Sequence, residues 1–259
     1  MKQFFSILLV FSVLISCKKE IKTKVIVENE SVENEWIHLL NEENSKGWRA
    51  YKGDKLPPGW TINNGILTFD TELKDEKDYV GGTDVIYGAE EFENFEFYVE
   101  WKIPKGANSG IFYHINEGFK LPQYSAPEYQ IIDDVNYADM HDITEYNKSV
   151  GFENPSQLHP LQKTASDYGM YAADPEKKKL NEIGEWNSTK IVFTPDNVEY
   201  WLNGQKVLSF TPWSEDWQKR KDAGKWDDAE AYGTFKTGYI GFQDHGGPIS
   251  FRNAKIKKL

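Results

Sequence analysis

The 259-residue sequence predicts an all-β domain of two antiparallel sheets packed face to face, and three features predict it. Aromatic residues make up 15% of the chain, while hydrophobic residues in total reach only 39% and mean hydropathy is -0.65, as in a soluble protein rich in stackable rings. Period-2 alternation recurs along the chain, whereas helical periodicity is weak everywhere. Asn203-Gly204 sits between two alternating runs and is the favoured type I′ hairpin turn, because both central residues take positive φ. Strand after strand with long loops leaves sheets to pack on sheets, as in a β-sandwich or jelly roll.

Taken in order, the chain begins with Lys2 and an apolar run from Phe4 to Ile15, too short for a permanent span and suited to a signal peptide over residues 1–16. The single cysteine follows at once in Leu14-Ile15-Ser16-Cys17, which resembles the bacterial lipobox, where the thiol is acylated and the chain is cut just before it. A thiol between an apolar run and Lys18-Lys19-Glu20 has no core to sit in, so Cys17 is read as the lipid attachment site. Residues 17–34 are polar, without a sustained apolar face, and read as a lipidated tether. Residues 35–259 form one folded domain. The expected location is the cell envelope, periplasmic or on the outer-membrane surface, with contact to the membrane through the lipid anchor only.

Within the domain, strands are expected over Trp60 to Phe69, Phe95 to Ile103, Ser109 to Ile115, Glu128 to Asp133, Lys190 to Phe193, Asn197 to Leu202, Gln205 to Phe210, Gly238 to Phe242 and Ile249 to Lys257. From Phe95 to Ile103 the odd positions are all apolar and the even ones mostly charged, so one face is buried and the other wet. The best helical candidate lies near Pro212 to Ala223. A Trp, an apolar strand and a Tyr-x-x-Asn-Gly hairpin resemble lectin-like, concanavalin A-like sandwiches, in which one sheet commonly presents a concave face of sugar-binding size.

Composition excludes several functions. The net charge is -11, from 30 Lys and Arg against 41 Asp and Glu, and no basic stripe is present to neutralise phosphates, so nucleic acid is not a partner. Loss of Lys2 with the leader makes the mature chain more acidic, leaving its acyl chains rather than headgroup attraction to hold it. One cysteine forms neither an internal disulfide nor a Cys-based zinc cage. There is no Gly-x-Ser-x-Gly elbow, no phosphate-binding glycine loop and no His-Glu-x-x-His helix.

Three strands carry unexpectedly polar faces. Alternation puts Asn108, Gly110, Phe112 and His114 on one side, with the glycine leaving room for a ligand to approach. Glu128 and Gln130 share a face roughly 7 Å apart at about 3.3 Å per residue. Tyr239, Gln243 and His245 face away from Ile240 and Phe242. Asp133-Asp134 either belong to the same wet concavity or cap the strand and open a turn. Gln243-Asp244-His245, before Gly246-Gly247, sits where a strand runs into a loop. Trp201 is either hairpin packing or a sugar-stacking platform. A two-carboxylate glycosidase needs roughly 5 to 9.5 Å between its groups. Here the residue two after Glu128 is Gln130, and Asp134 lies about 20 Å along an extended strand.

Seven ordered stretches together carry a family resemblance: Leu39-Leu40-Asn41 with Gly47-Trp48, Asn108 to His114 (NSGIFYH), Pro127 to Asp133 (PEYQIID), Gly184 to Asn187 (GEWN), Trp201 to Gly204 (WLNG), Gly241 to Gly246 (GFQDHG) and Phe251 to Leu259 (FRNAKIKKL). They resemble the 3-keto-disaccharide hydrolase domain family, over essentially the whole folded domain. The resemblance implies a concanavalin-type sandwich, a carbohydrate substrate and a lipoprotein of a Bacteroidetes-like bacterium. The chain departs from that pattern at His114, often Arg in the family, and in a stretch from Val135 to Asp167 that looks longer than usual.

A glycoside oxidised at C3 has an acidified C2 proton, so its cleavage needs one base, one acid and an electrophile for the enolate oxygen, the proton transfers contributing about 10²- to 10⁴-fold each. Glu128 and His245 are expected to take the two proton-transfer roles. Arg252, or a bound divalent cation, is expected to stabilise the enolate, and Asn108, His114, Gln130, Asp133, Trp201, Gln243 and Asp244 to bind substrate. The rival readings are a lectin-like carbohydrate-binding module without catalysis and a conventional glycosidase.

Overall fold

A computed structural model describes residues 35–71 and 82–259. The expected leader, Cys17 and the tether lie outside the described residues.

The domain is a jelly-roll type sandwich of two antiparallel sheets. The larger sheet contains β1 (Ile37–Leu40), β3 (Trp60–Asn63), β4 (Ile66–Phe69), β6 (Phe95–Lys102), β9 (Asn187–Phe193), β10 (Val198–Leu202), β11 (Gln205–Phe210) and β13 (Ile249–Lys258). Its strand order is β11-β10-β9-β6-β13-β4-β3, with β1 also paired to β13. The smaller sheet runs β2-β5-β12-β7-β8, from β2 (Trp48–Ala50), β5 (Val85–Phe92), β12 (Gly238–Phe242), β7 (Asn108–Ile115) and β8 (Glu128–Ile132). Among the described residues three α-helices lie in the connections: α1 (Tyr137–Met140), α2 (Thr144–Ser149) and α3 (Glu215–Ala223).

Alternation in β6 is realised residue by residue: Phe95, Phe97, Val99 and Trp101 are fully buried and the residues between them are half-buried. Rings from both sheets fill the interior. Phe242 of β12 stacks on Phe251 of β13 at 3.8 Å between centroids, and the Tyr113 hydroxyl of β7 meets that of Tyr200 on β10 at 3.0 Å. Flat rings bury large areas, and the tyrosine pair keeps both buried hydroxyls partnered.

The run from Trp60 to Phe69 is a hairpin rather than one strand. It turns at Asn64 (φ 48°) and Gly65 (φ 70°), and a side chain on Gly65 would strike the backbone of Asn41 at 2.4 Å. Strands β1, β2 and β5 were not among the expected ones. The Asn203-Gly204 hairpin, the strand at Gly238–Phe242 and a helix after Pro212 stand as expected.

The central difference concerns β7 and β8, whose residues are buried on both faces. The polar face expected to be wet is roofed by residues 133–168, together with the turn around Lys225 and Trp226. The roof is tied to the edge strand β8: Ala165 N donates to Gln130 O at 2.9 Å, Gln130 N to Ser166 O at 3.1 Å and Tyr168 N to Glu128 O at 3.0 Å. Thr164 Oγ1 donates to Ile132 O at 2.7 Å, and Asn147 Nδ2 donates to the carbonyls of Pro155 and Gln157 inside the roof.

Candidate active site

Between the roof and the smaller sheet lies a cavity of about 380 Å³. Asn108, Glu128, Gln130, Gln243 and His245 line its sheet side, and Tyr137, Tyr146, Gln162, Tyr168, Lys225 and Trp226 are among its other walls. The strands β8, β7 and β12 lie side by side, so residues more than a hundred positions apart in the chain meet here.

Glu128 is 3% exposed and its carboxyl lies across β7, over Gly110, where an added Cβ would come within 2.1 Å of Oε1. The glycine makes room for this carboxyl. Among the described residues the carboxyl has no hydrogen-bond partner, and burial pushes it up to about 8; the Lys225 ammonium works against this while Asp84 and Asp167 add to it. His245 is exposed at the cavity mouth, yet protein crowds its ring closely enough that desolvation lowers its pKa below the ordinary imidazole value, with His141 and Lys225 acting the same way. The Tyr137 ring stands edge-on to His245 at 6.5 Å and packs on His141 at 4.4 Å.

Two amide oxygens in the wall lack partners. Asn108 Oδ1 and Gln243 Oε1 are buried without a hydrogen bond among the described residues, while Gln130 Oε1 accepts from Ile131 N at 3.0 Å. Unpartnered acceptors in a cavity wall call for donors such as sugar hydroxyls.

Other expected site residues lie elsewhere. His114 has φ 54° and sits at a bulge, where Tyr239 pairs with Ile115 but Gly241 pairs with Phe112. That extra residue turns the imidazole off the cavity face and into the sandwich against Phe95 and Phe193, where its Nε2 contacts Glu93 O at 2.8 Å and burial pushes its pKa down to about 4. Asp133 is a turn cap: it accepts from Gly106 N, Val135 N, Asn136 N and the Asn136 amide. Burial opposes its charge, but these donors outweigh that and hold it below the usual carboxylate range.

Asp244 accepts from Thr83 N and Gly246 N, and its own N–H donates to Asp84 Oδ1 at 2.8 Å. It shapes the turn that carries Gln243 and His245 and does not line the cavity. Trp201 is on the outer face of the larger sheet, donating to Glu199 Oε2 and covered by Lys190 at 4.2 Å. Arg252 is on that face too, held by Glu100 at 2.6 Å and lying over Trp186 at 4.0 Å, so it is not the electrophile for this cavity. Among the described residues no three His, Cys, Asp or Glu side chains converge as a metal-binding set, so the divalent cation considered above finds no ligand cluster there.

Sequence reasoning missed the roof side: Tyr137, Tyr146, Gln162, Tyr168, Lys225 and Trp226. For Tyr137, Tyr146 and Gln162 the length of the Val135 to Asp167 stretch was the available signal, since long ordered loops in compact domains commonly carry function.

Comparison with known proteins bears on this site. A family model described as 3-keto-α-glucoside-1,2-lyase-like domain matches residues 35–257. A 3-keto-disaccharide hydrolase of Bacteroides thetaiotaomicron is 33% identical over 244 residues, covering 86% of this chain and 78% of that protein. The crystal structure of a candidate glycosyl hydrolase from Parabacteroides distasonis superposes with a TM-score of 0.73 at 36% identity, covering 86% of this chain and 94% of that one. A second candidate glycosyl hydrolase from the same organism, 24% identical with a TM-score of 0.58, covers 87% of this chain and 100% of its own and shares the fold.

Proposed function

Because the chain belongs to the 3-keto-α-glucoside-1,2-lyase-like family, we propose that it cleaves 3-keto-glycosides in the roofed cavity by elimination at C1 and subsequent hydration. The observation that carries the reading is the pair of Glu128 and His245 on one cavity with pKa values displaced in opposite directions. A carboxyl pushed up to about 8 holds its proton at neutral pH, and an imidazole pushed down is free to accept one. Groups displaced in that sense divide into an acid and a base.

In this mechanism His245 takes the C2 proton, and the C2–H electron pair moves into the C2–C3 bond as the C3 carbonyl becomes an enolate. The enolate collapses to restore the carbonyl, C1=C2 forms, the bond from C1 to the aglycone oxygen breaks, and that oxygen takes the proton from Glu128. Water then adds its oxygen at C1 and a proton returns to C2. The sum is one water consumed, with a 3-keto sugar and the aglycone alcohol released. Asn108, Gln130 and Gln243 bind hydroxyls.

The test is turnover of a 3-keto-α-glucoside against its unoxidised parent. Release from the keto sugar alone, with deuterium at C2 of the product in D₂O above spontaneous exchange, is the expected result; release from the parent points to a conventional glycosidase and binding without turnover to a lectin-like module. The rate should also fall as pH rises through about 8, where Glu128 loses the proton it donates. The lipobox-like Leu14-Ile15-Ser16-Cys17 supports an anchored envelope enzyme. Wild type is expected in the detergent phase, and Cys17→Ser should abolish that partitioning.

A further inference from the structure

Elimination from a 3-keto sugar leaves one requirement unmet once Arg252 is found on the other sheet: a positive group for the enolate oxygen. Lys225 is the one Lys or Arg among the described residues that line the cavity. It makes no ion pair or hydrogen bond to any carboxylate among the described residues, although the chain is acidic overall. Its ammonium is held instead by three rings, at 4.4 Å from Trp226, 4.8 Å from Tyr168 and 5.2 Å from Tyr146. Trp226 is fixed in turn, donating from Nε1 to Tyr168 O at 2.8 Å, and Gly169 leaves room for the pair because a Cβ there would come within 3.2 Å of the Lys225 Cβ.

Aromatic faces hold a cation in place without neutralising it. A carboxylate partner would cancel the charge before any substrate arrived. The acids nearby do not cancel it: Glu128 lies beyond ion-pair distance, and Asp142 is exposed at the rim and accepts from Thr144 N. The cavity therefore offers a positioned, uncompensated positive charge, which suits a ligand whose negative charge develops during reaction.

We propose that Lys225 is a catalytic residue that stabilises the C3 enolate oxygen. This rests on the elimination reading of the same site. When the C2 proton leaves, the electron pair shifts through C3 onto oxygen, and the ammonium hydrogen-bonds that oxygen until the pair returns to expel the aglycone. Lys225 neither gains nor loses its proton overall.

The experiment uses the full chain in detergent with Cys17→Ser, so that Lys225→Cys introduces the single thiol. Three proteins are compared on a 3-keto-α-glucoside in D₂O: the parent, Lys225→Met, and Lys225→Cys before and after alkylation with 2-bromoethylamine, which rebuilds an amine of nearly the same reach. Expected are a loss of kcat of about 10²- to 10³-fold in Lys225→Met, with KM changed little, a parallel loss of C2 exchange, and at least about tenfold recovery on alkylation. Unchanged kcat, a rise in KM alone, C2 exchange that persists in Lys225→Met, or no recovery in an alkylated protein that keeps the parent's thermal midpoint would each overturn the assignment. A parent protein that releases aglycone without C2 exchange overturns the elimination reading itself, and with it the enolate, so the two failures are told apart.

Discussion

Glu100 on β6 and Glu128 on β8 both sit on strand faces turned away from the sandwich interior, and the protein treats them in opposite ways. Glu100 accepts from Asn253 Nδ2 at 3.0 Å, Arg252 Nε at 2.6 Å and Tyr98 O–H at 3.1 Å. Burial opposes its charge, but these partners outweigh that and hold its carboxyl below the ordinary range. Glu128, under the roof and without such partners, is pushed up to about 8. Strand alternation is the same in both places. What the chain lays over each face decides whether the carboxylate is a solvated ion or a held proton.

The largest effect that would sharpen this contrast is on catalysis: Glu128→Gln is expected to lower kcat by about 10²-fold or more with KM nearly unchanged, while Glu100→Gln leaves both within about twofold. Stability should separate the same pair by sign. Glu128 has a folded-state pKa above its unfolded one, so its contribution is fully present below about pH 4.5 and is lost as pH rises through about 8. Glu100 has a lowered folded-state pKa, so its contribution is present above the unfolded value and is lost as pH falls. Relative to wild type, Glu128→Gln should gain stability with rising pH and Glu100→Gln should lose it. Chemical denaturation at several pH values would break the comparison if both moved together.

A smaller effect is expected at Gly110→Ala. The added methyl would sit 2.1 Å from Glu128 Oε1 and must displace the carboxyl, at a backbone position that needs no positive φ. Misplacement on the scale of 1 Å costs up to about 10²-fold in rate, so a loss of at least about tenfold with the thermal midpoint nearly intact is the outcome to look for. The smallest effect is at Arg252→Ala on the open face, where a half-exposed ion pair is worth less than about 1 kcal/mol. A catalytic loss at Arg252→Ala would return that residue to the site and undo the distinction between the faces.

How far the sequence reveals this molecule depends on what alternation can encode. It reads β6, the β10-β11 hairpin, β12 and β13 well, because each has an apolar and a polar side. It misses β5, where Gly88 and the acidic Glu90-Glu91 interrupt the pattern, and it runs through the Asn64-Gly65 turn because apolar residues continue on both sides. Alternation assigns a side chain to a face of its own strand, not the strand to a sheet, and so Arg252 and Trp201 were gathered into a site that neither approaches. It also presumes an unbroken ladder, which the bulge at His114 denies. Glu128, Gln130, Asn108, Gln243 and His245 were legible as polar residues on three neighbouring strands. Lys225 was not, because Lys225-Trp226-Asp227-Asp228 reads as an ordinary charged turn and only the folded roof brings it over Glu128.

The bonds that join Ala165, Ser166 and Tyr168 to β8 have a consequence for how the protein behaves at high concentration. β8 is the last strand of its sheet, and its outer N–H and C=O groups would be a template for another chain if they were bare. Peeling away that part of the roof would therefore admit a sugar and expose a self-association edge in the same motion. Lifting only α1, α2 and their flanks, whose Tyr137 and Tyr146 wall the cavity, would open it while residues 164–168 kept the edge covered. The stretch that shapes the cavity thus also guards solubility, and shortening it by deletion would register first as aggregation, before any change in sugar preference could be measured.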